Sequence, residues 1–467
     1  MQGETVSQEQ WNAGRLQKAP ENFLTQEVIQ ASMRAAPAKP AAMATPPAGR
    51  RGFLQTALAG VAAAAAAPVA MAQGAVAQGA PEILQLPAHS RGLGQPVASN
   101  DGYGAPSKHE SNVQRRQSPG LTQTTQSSVS FAPLQSLFGI VTPSGLHFER
   151  HHQGWWDIDP TRHRLMLNGM VKTPRVFTMD ELMRLPSVSR FHFIECGANT
   201  AVDWANVAVP TVQYTHGMLS CSEFTGIPLV TLLEMAGADL KGGKFVLAEG
   251  ADGSSMTRTI PMELVTSGEV LVVYGQNGEM LRPENGYPLR LVVPGVQGVS
   301  SVKYLRRIEV GDQPWATKDE AIHYMDLMPD GNHRQYSSVQ ECKSVVTTPS
   351  GGQVLLDKGF YSITGLAWSG RGAIKRVDVS VDGGRNWREA RLQTPVLSKC
   401  LTRFSADWVW DGKPAIVQSR ATDDTGFVQP LYKQLRDVRG TRSIYHNNAV
   451  QSWLVQENGE VKNAQLS

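Results

Sequence analysis

Short apolar runs set off by polar turns dominate the chain between residues 161 and 310. They fall at 165–167, 191–194, 244–247, 270–274, 289–293 and 308–310. Each is too short for a helix, and branched side chains within them favour strands. Two stretches follow another rhythm, with apolar residues three and four apart: 179–185 after Thr178 and 229–235 after Pro228. Both predict short helices with an N-terminal start signal. Strands interleaved with few helices predict a mixed α+β domain. From Val345 onward the pattern changes again. Residues 361–368 and 374–381 alternate, and Asp382-Gly383-Gly384 forms a hairpin signal before Asn386-Trp387. Further short strands follow at 405–410 and 416–421. Evenly spaced short strands with turn signals predict a β-sandwich of immunoglobulin type. Ahead of both, residues 73–130 are rich in Gly, Pro, Ser, Gln and Asn and predict an extended arm. The resulting division is a leader at 1–72, the arm at 73–133, a mixed domain at 134–344 and the sandwich at 345–467.

Length and charge narrow the choice. A chain of 467 residues accommodates two or three domains. A net charge of +3 is too small to point to nucleic acid. Beyond the leader, no run is both long and apolar enough for a membrane span. The leader itself carries Arg50-Arg51-Gly52-Phe53-Leu54, a mildly apolar run at 57–67, and Ala70-Met71-Ala72 before Gln73. Twin arginines, weak apolar core and small-residue cleavage site come in the order of a twin-arginine export signal. The bland alternative is an Ala-rich linker with a chance Arg pair. Export by that route predicts a periplasmic protein, and it favours one that folds around a cofactor first. The cysteines, Cys196, Cys221, Cys342 and Cys400, include no C-x-x-C pair, which argues against a structural zinc or iron–sulfur site. Without C-x-x-C-H, no covalently attached haem is expected. One disulfide, for instance Cys342 with Cys400, is open in an oxidising compartment.

Three stretches carry candidate chemistry. FHFIECGANT, residues 191–200, stops a strand at Cys196 and passes into Gly197-Ala198-Asn199. Two readings stand: a buried small hydrophobe, or a soft thiolate held out on a loop for a transition metal. GLHFERHH, residues 145–152, sets Arg150 beside His151 and His152. It reads as a metal site, for which adjacent histidines are poorly spaced on one strand face, as a solvated loop, or as an anion site, since guanidinium offers a rigid fork of donors. In residues 284–303, glycines, serines and Lys303 suit a phosphate cradle. The glycine spacing fits neither a Walker loop nor a dinucleotide fingerprint.

Taken together these stretches resemble the sulfite oxidase family of molybdopterin enzymes. TPSGLHFERHH resembles the family's F-x-R-x-H segment, and FIECGAN its cysteine loop. TGIPLVTLLEMAG, VVYGQNGEMLRPENGYPLRLVVPGVQGVSSVKYLRRIEV, and AWSG, VDVSVDGGRNW and RATDDTGFVQP follow in family order. The likeness covers residues 134 to 453. Within the family, DPTRHRLMLNGMV, PSVSRFHFIEC, DLMPDGNHRQ and SIYHNNAVQSW are most similar to the sulfane dehydrogenase branch.

The resemblance implies a molybdopterin-binding catalytic domain followed by an immunoglobulin-like domain used for homodimerisation. It implies that Cys196 ligates molybdenum. Phe148, His152, Asp252, Asn285, Arg290, Ser301, Val302 and Lys303 match positions that bind the pterin and its phosphate. Arg150 matches the substrate-anion arginine and Tyr324 an active-site tyrosine. The implied activity is oxidation of carrier-bound sulfane sulfur by oxo transfer. Its implied partners are a sulfur-carrier protein and a separate c-type cytochrome. Alternatives are a sulfite dehydrogenase acting on free sulfite and a non-catalytic docking scaffold. The chain departs from the family at Ala201, where sulfite oxidases carry an arginine, at Asn285 for a frequent His, and at Phe224 and Val296 for tryptophans. Losing the arginine removes a positive charge from the substrate pocket, which speaks against tight binding of free sulfite.

Overall fold

The computed structural model describes residues 102–117, 124–204, 209–318, 324–335, 339–440 and 445–464, with Leu93, Glu320 and Ser443. The twin-arginine leader and most of the arm lie outside these residues. The chain divides into a unit at 33–112 and a larger one that includes 113–467. Of the smaller unit, the described residues include a single 3-10 turn, Lys108–Glu110.

The larger unit opens with strands β1 (Arg116–Gln117), β2 (Ser128–Phe131) and β3 (Glu149–His151), paired in that order. Sequence reading gave β1 and β2 to an arm. They form because Val129 and Phe131 alternate inward and bury against the core.

Ten strands follow: β4 (Arg164–Gly169), β5 (Arg175–Thr178), β6 (Val188–Glu195), β7 (Leu219–Pro228), β8 (Phe245–Gly250), β9 (Thr257–Pro261), β10 (Leu271–Gln276), β11 (Glu279–Met280), β12 (Arg290–Val292) and β13 (Leu305–Gly311). They build two sheets. One has the order β5-β4-β13-β8-β9, with β13 parallel to β4. The other runs β11-β10-β7-β6, and β12 pairs with β10. Short helices intervene: α1 (Met179–Met183), α2 (Ala201–Trp204), α3 (Val212–His216), α4 (Leu229–Met235) and α5 (Met262–Thr266). Helix α1 starts at a capping box, where Thr178 and Glu181 each accept from the other's backbone N–H. Leu167, Leu232, Val246, Val272, Leu291 and Ile308 belong to the core these sheets share.

A hairpin of β14 (Met325–Leu327) and β15 (His333–Gln335) leads to the sandwich. Its strands are β16 (Lys343–Thr348), β17 (Gly359–Trp368), β18 (Ile374–Ser380), β19 (Arg388–Glu389), β20 (Arg391–Leu392), β21 (Thr402–Trp410), β22 (Ala415–Asp423), β23 (Ser452–Val455) and β24 (Val461–Asn463). One sheet has the order β16-β17-β21-β20, the other β19-β18-β22-β23-β24. Helix α6 (Tyr432–Arg439) precedes β23. Along β21 every second side chain is buried, which gives the two-residue period of a strand with one face on a core. Trp368, Phe404, Val417 and Trp453 fill the interior. That core continues into Phe193, Leu219 and Phe224 of β6 and β7, so the sandwich packs directly behind the strand that ends at Cys196. The α+β class and the immunoglobulin-type sandwich are as the pattern predicts.

A disulfide between Cys342 and Cys400 is not formed. All four cysteines are free, and Cys400 Sγ lies 3.4 Å from Cys221 Sγ. The reason is sheet order: Cys342 leads into β16 and Cys400 into β21, and β17 lies between those strands.

Candidate functional site

Strand β6 ends in four consecutive buried residues, His192 to Glu195, because both of its faces are covered. The chain then turns sharply. Asn199 N–H donates to Cys196 C=O, while Cys196 N–H donates to Met218 C=O. Cys196 is thereby held at the end of a strand, partly open to a cavity of about 190 Å³. Burial pushes its thiol up and Glu195 adds to the rise, whereas the Ala198 backbone and Arg150 oppose it. Gly298 lies against this strand end: a Cβ there would sit 2.8 Å from Ile194 and 2.9 Å from the Glu195 carbonyl. Only glycine permits that approach.

The same cavity gathers every site residue nominated from sequence. Phe148 just before β3, Arg150 within it and His152 just after it reach the cavity. Asp252 follows β8, and Asn285 and Arg290 flank the entry to β12. Ser301, Val302 and Lys303 precede β13, and Tyr324 closes one side. Ala201, at the start of α2, is not among the lining residues.

The electrostatics around Arg290 and Lys303 are unusual. Arg290 is buried; its Nη1 donates to Asn285 C=O at 2.9 Å and its Nη2 to Ser301 C=O at 3.1 Å, but Nε–H has no partner among the described residues. Burial lowers its pKa to about 10. Lys303 Nζ reaches the Arg150 carbonyl (3.2 Å), the Glu284 carbonyl (3.3 Å) and His151 Nδ1 (3.0 Å). Burial first, then Arg290, bring the ammonium down to about 7. Among the described residues, no carboxylate lies within ion-pair distance of either cation. Glu149 and Glu284 are engaged by Arg115 instead. Buried cations without counter-charge are costly, and a bound anion relieves the cost.

Sequence reasoning placed His147 and His151 in a candidate stretch without a role of their own and passed over Tyr445; all three line the cavity. His147 Nδ1–H donates to Phe148 C=O, so its buried Nε2 is an acceptor without a partner. Burial and the neighbouring Arg290 bring its pKa to about 3, and it stays neutral. Adjacency to Phe148 was the one available signal. Tyr445 stacks on Tyr324 at 4.6 Å between ring centroids, and the Arg258 guanidinium sits 4.1 Å from the Tyr324 ring on its own side. Contacts between residues 66 and 121 positions apart in the chain assemble that trio.

The donor set fits an anionic, polar-edged ligand joined to a soft metal. A thiol, two cations, an unpaired donor and an unpaired acceptor line one cavity.

Comparisons agree with this geometry. Residues 152–318 match the oxidoreductase molybdopterin binding domain, and residues 334–453 match the Mo-co oxidoreductase dimerisation domain. The mouse protein "Sulfite oxidase, mitochondrial" is 30% identical over 339 residues, spanning 67% of this chain and 62% of its own. Tomato "Nitrate reductase [NADH]" is 30% identical over 354 residues, spanning 64% of this chain and 37% of its own. The chain thus spans less than two thirds of these relatives. The solved structure of sulfane dehydrogenase SoxCD from Paracoccus pantotrophus superposes with a TM-score of 0.80 at 44% identity. That match covers 82% of this chain and 98% of the other.

Proposed function

The chain belongs to the sulfite oxidase family of molybdopterin oxidoreductases, and from that premise we propose that it oxidises sulfane sulfur held on the cysteine of a carrier protein. It works in the periplasm after twin-arginine export and passes electrons to a separate c-type cytochrome. The observation that carries the reading is the cavity itself, which Cys196 lines together with Arg290 and Lys303, cations that no carboxylate among the described residues contacts at ion-pair distance. When bound, the molybdenum–pterin group supplies oxo transfer and the two-electron redox change.

The residues of this chain do the rest. Cys196 provides the thiolate ligand. Arg290 and Lys303 bind the pterin's phosphate, with Ser301 and Val302 shaping that end. Phe148, His152, Asp252 and Asn285 hold the ring system, and His147 Nε2 accepts a hydrogen bond from it. Arg150 stands close enough to the thiol to oppose its rise in pKa, and it steadies negative charge on a sulfur substrate. Tyr324, stacked on Tyr445, forms part of the cavity wall.

Sulfane specificity draws support from the 44% identity to the sulfane dehydrogenase and from Ala201, which brings no second cation. The dimerisation-domain match supports a homodimer formed through the sandwich. Among the described residues no helix is long and apolar enough to cross a membrane.

A second reading, oxidation of free sulfite, has Arg150 in its favour. The two are separated by cytochrome c reduction with protein of verified molybdenum content. Turnover that requires a persulfide-loaded carrier is the expected result. Saturable turnover of free sulfite, with the carrier adding nothing, would overturn the sulfane assignment.

A further inference from the structure

We propose that Glu195 is the positioning residue for the metal-binding cysteine, and that Lys343, delivered from the sandwich, cancels its charge at the metal. The inference rests on Cys196 as the metal's ligand.

Glu195 immediately precedes Cys196 and is 2% exposed. Three donors from three places fill its carboxylate. Oε1 accepts from Asn199 Nδ2 at 2.9 Å and from Lys343 Nζ at 3.1 Å, and Oε2 accepts from Trp368 Nε1 at 2.8 Å. Lys343 opens β16 and Trp368 closes β17, so two of these donors belong to the sandwich. Asn199 returns its side-chain oxygen to Met218 N–H, on the residue whose carbonyl holds Cys196 N–H.

The sandwich grips the rest of the loop too. His446 N–H donates to Gly197 C=O, Lys343 Nζ donates to Thr200 Oγ1 at 2.9 Å, and Thr200 Oγ1 donates to Asn447 C=O at 2.7 Å. Thr200 sits at φ +67°, a conformation a β-branched residue holds only when its surroundings impose it. The loop therefore owes its shape to a domain whose known family role is to join two chains.

Charge gives this clamp a consequence beyond shape. A bare carboxylate one residue from a thiolate ligand stabilises the more highly charged, oxidised metal. The Lys343 ammonium, 3.1 Å away, cancels that field locally. Removing Lys343's charge alone leaves the carboxylate's field uncompensated at the metal. Removing Glu195's charge alone leaves the ammonium's.

The test uses holoenzyme of verified molybdenum content and three variants: Lys343→Met, Glu195→Gln and the double change. The readings are the metal's reduction potential, its paramagnetic resonance signature, and kcat and KM separately. Lys343→Met is expected to lower the potential, Glu195→Gln to raise it, and the double change to return it toward the starting value. The resonance signature should change in both single variants, and kcat should fall with KM held. Where Lys343→Met fails to fold, Trp368→Phe removes one hydrogen bond to the same carboxylate and should lower the potential by less. Wild-type potential and signature in the variants that load metal would overturn the proposal. Wild-type protein without molybdenum would overturn the functional reading beneath it, and the metal assay tells the two failures apart.

Discussion

Two lysines of this molecule, half-buried Lys303 and buried Lys343, live by opposite rules. Lys343 meets the carboxylate of Glu195 directly, and a threonine hydroxyl takes another of its protons. Lys303 meets two carbonyls and a neutral imidazole, with Arg290 close enough to repel it, and its ammonium is driven down to about 7. The fold sets a counter-charge in contact with one and leaves the other only the more distant Glu149 and Asp252. A completed pair is scaffold, and an incomplete one marks where the ligand's charge belongs. Lys303 lines the cavity and Lys343 holds Glu195 beside Cys196, so the contrast separates the support of the site from its receptive wall.

The comparison is broken most forcefully by Lys343→Met in cofactor-free protein. Stranding the Glu195 carboxylate should cost about 3–5 kcal/mol of stability, read as a lower denaturant midpoint. Lys303→Met should do the reverse. It removes a cation without a partner, leaves the cofactor-free protein as stable or more so, and strips the matured protein of pterin. A large loss of stability in Lys303→Met would mean that its charge is structurally compensated after all.

A pH experiment sharpens the same point. The folded protein binds fewer protons than the unfolded chain between about pH 7, where Lys303 titrates when folded, and 10.5, its ordinary value. The cofactor-free protein should gain stability as pH rises through that window, since the unfolded state binds more protons there. Inorganic phosphate should stabilise it more at pH 6 than at pH 9, because at pH 9 binding must also draw a proton onto Lys303. Thermal unfolding with and without phosphate checks both signs. Far from the cavity, Thr178→Ala should cost only about 1 kcal/mol, the loss of one helix cap, with no change in metal content.

These contrasts also show what the amino-acid pattern can and cannot disclose. Strand β21 and helix α4 are readable because their periodicity is local and each has one buried face. Strand β2 was readable too, through Val129 and Phe131, but the Gly- and Ser-rich surroundings masked it. Cys196 became legible as a ligand only through family likeness, since a strand ending in cysteine serves a core equally well. The partners of Glu195 were out of reach: Lys343 and Trp368 lie 148 and 173 residues along the chain, and no local pattern marks a buried pair of that span. The same distance hid Cys221 from Cys400, 179 residues apart. His147 escaped because a neutral, buried histidine with one idle nitrogen looks in sequence like any other.

The most direct measurement is the molybdenum content of protein matured in a host that makes the cofactor, set beside Cys196→Ser prepared identically. The account predicts stoichiometric molybdenum in the wild type and a metal-depleted, inactive but folded variant. Wild-type protein without molybdenum, or a Cys196→Ser variant that keeps both its metal and its turnover, would contradict it.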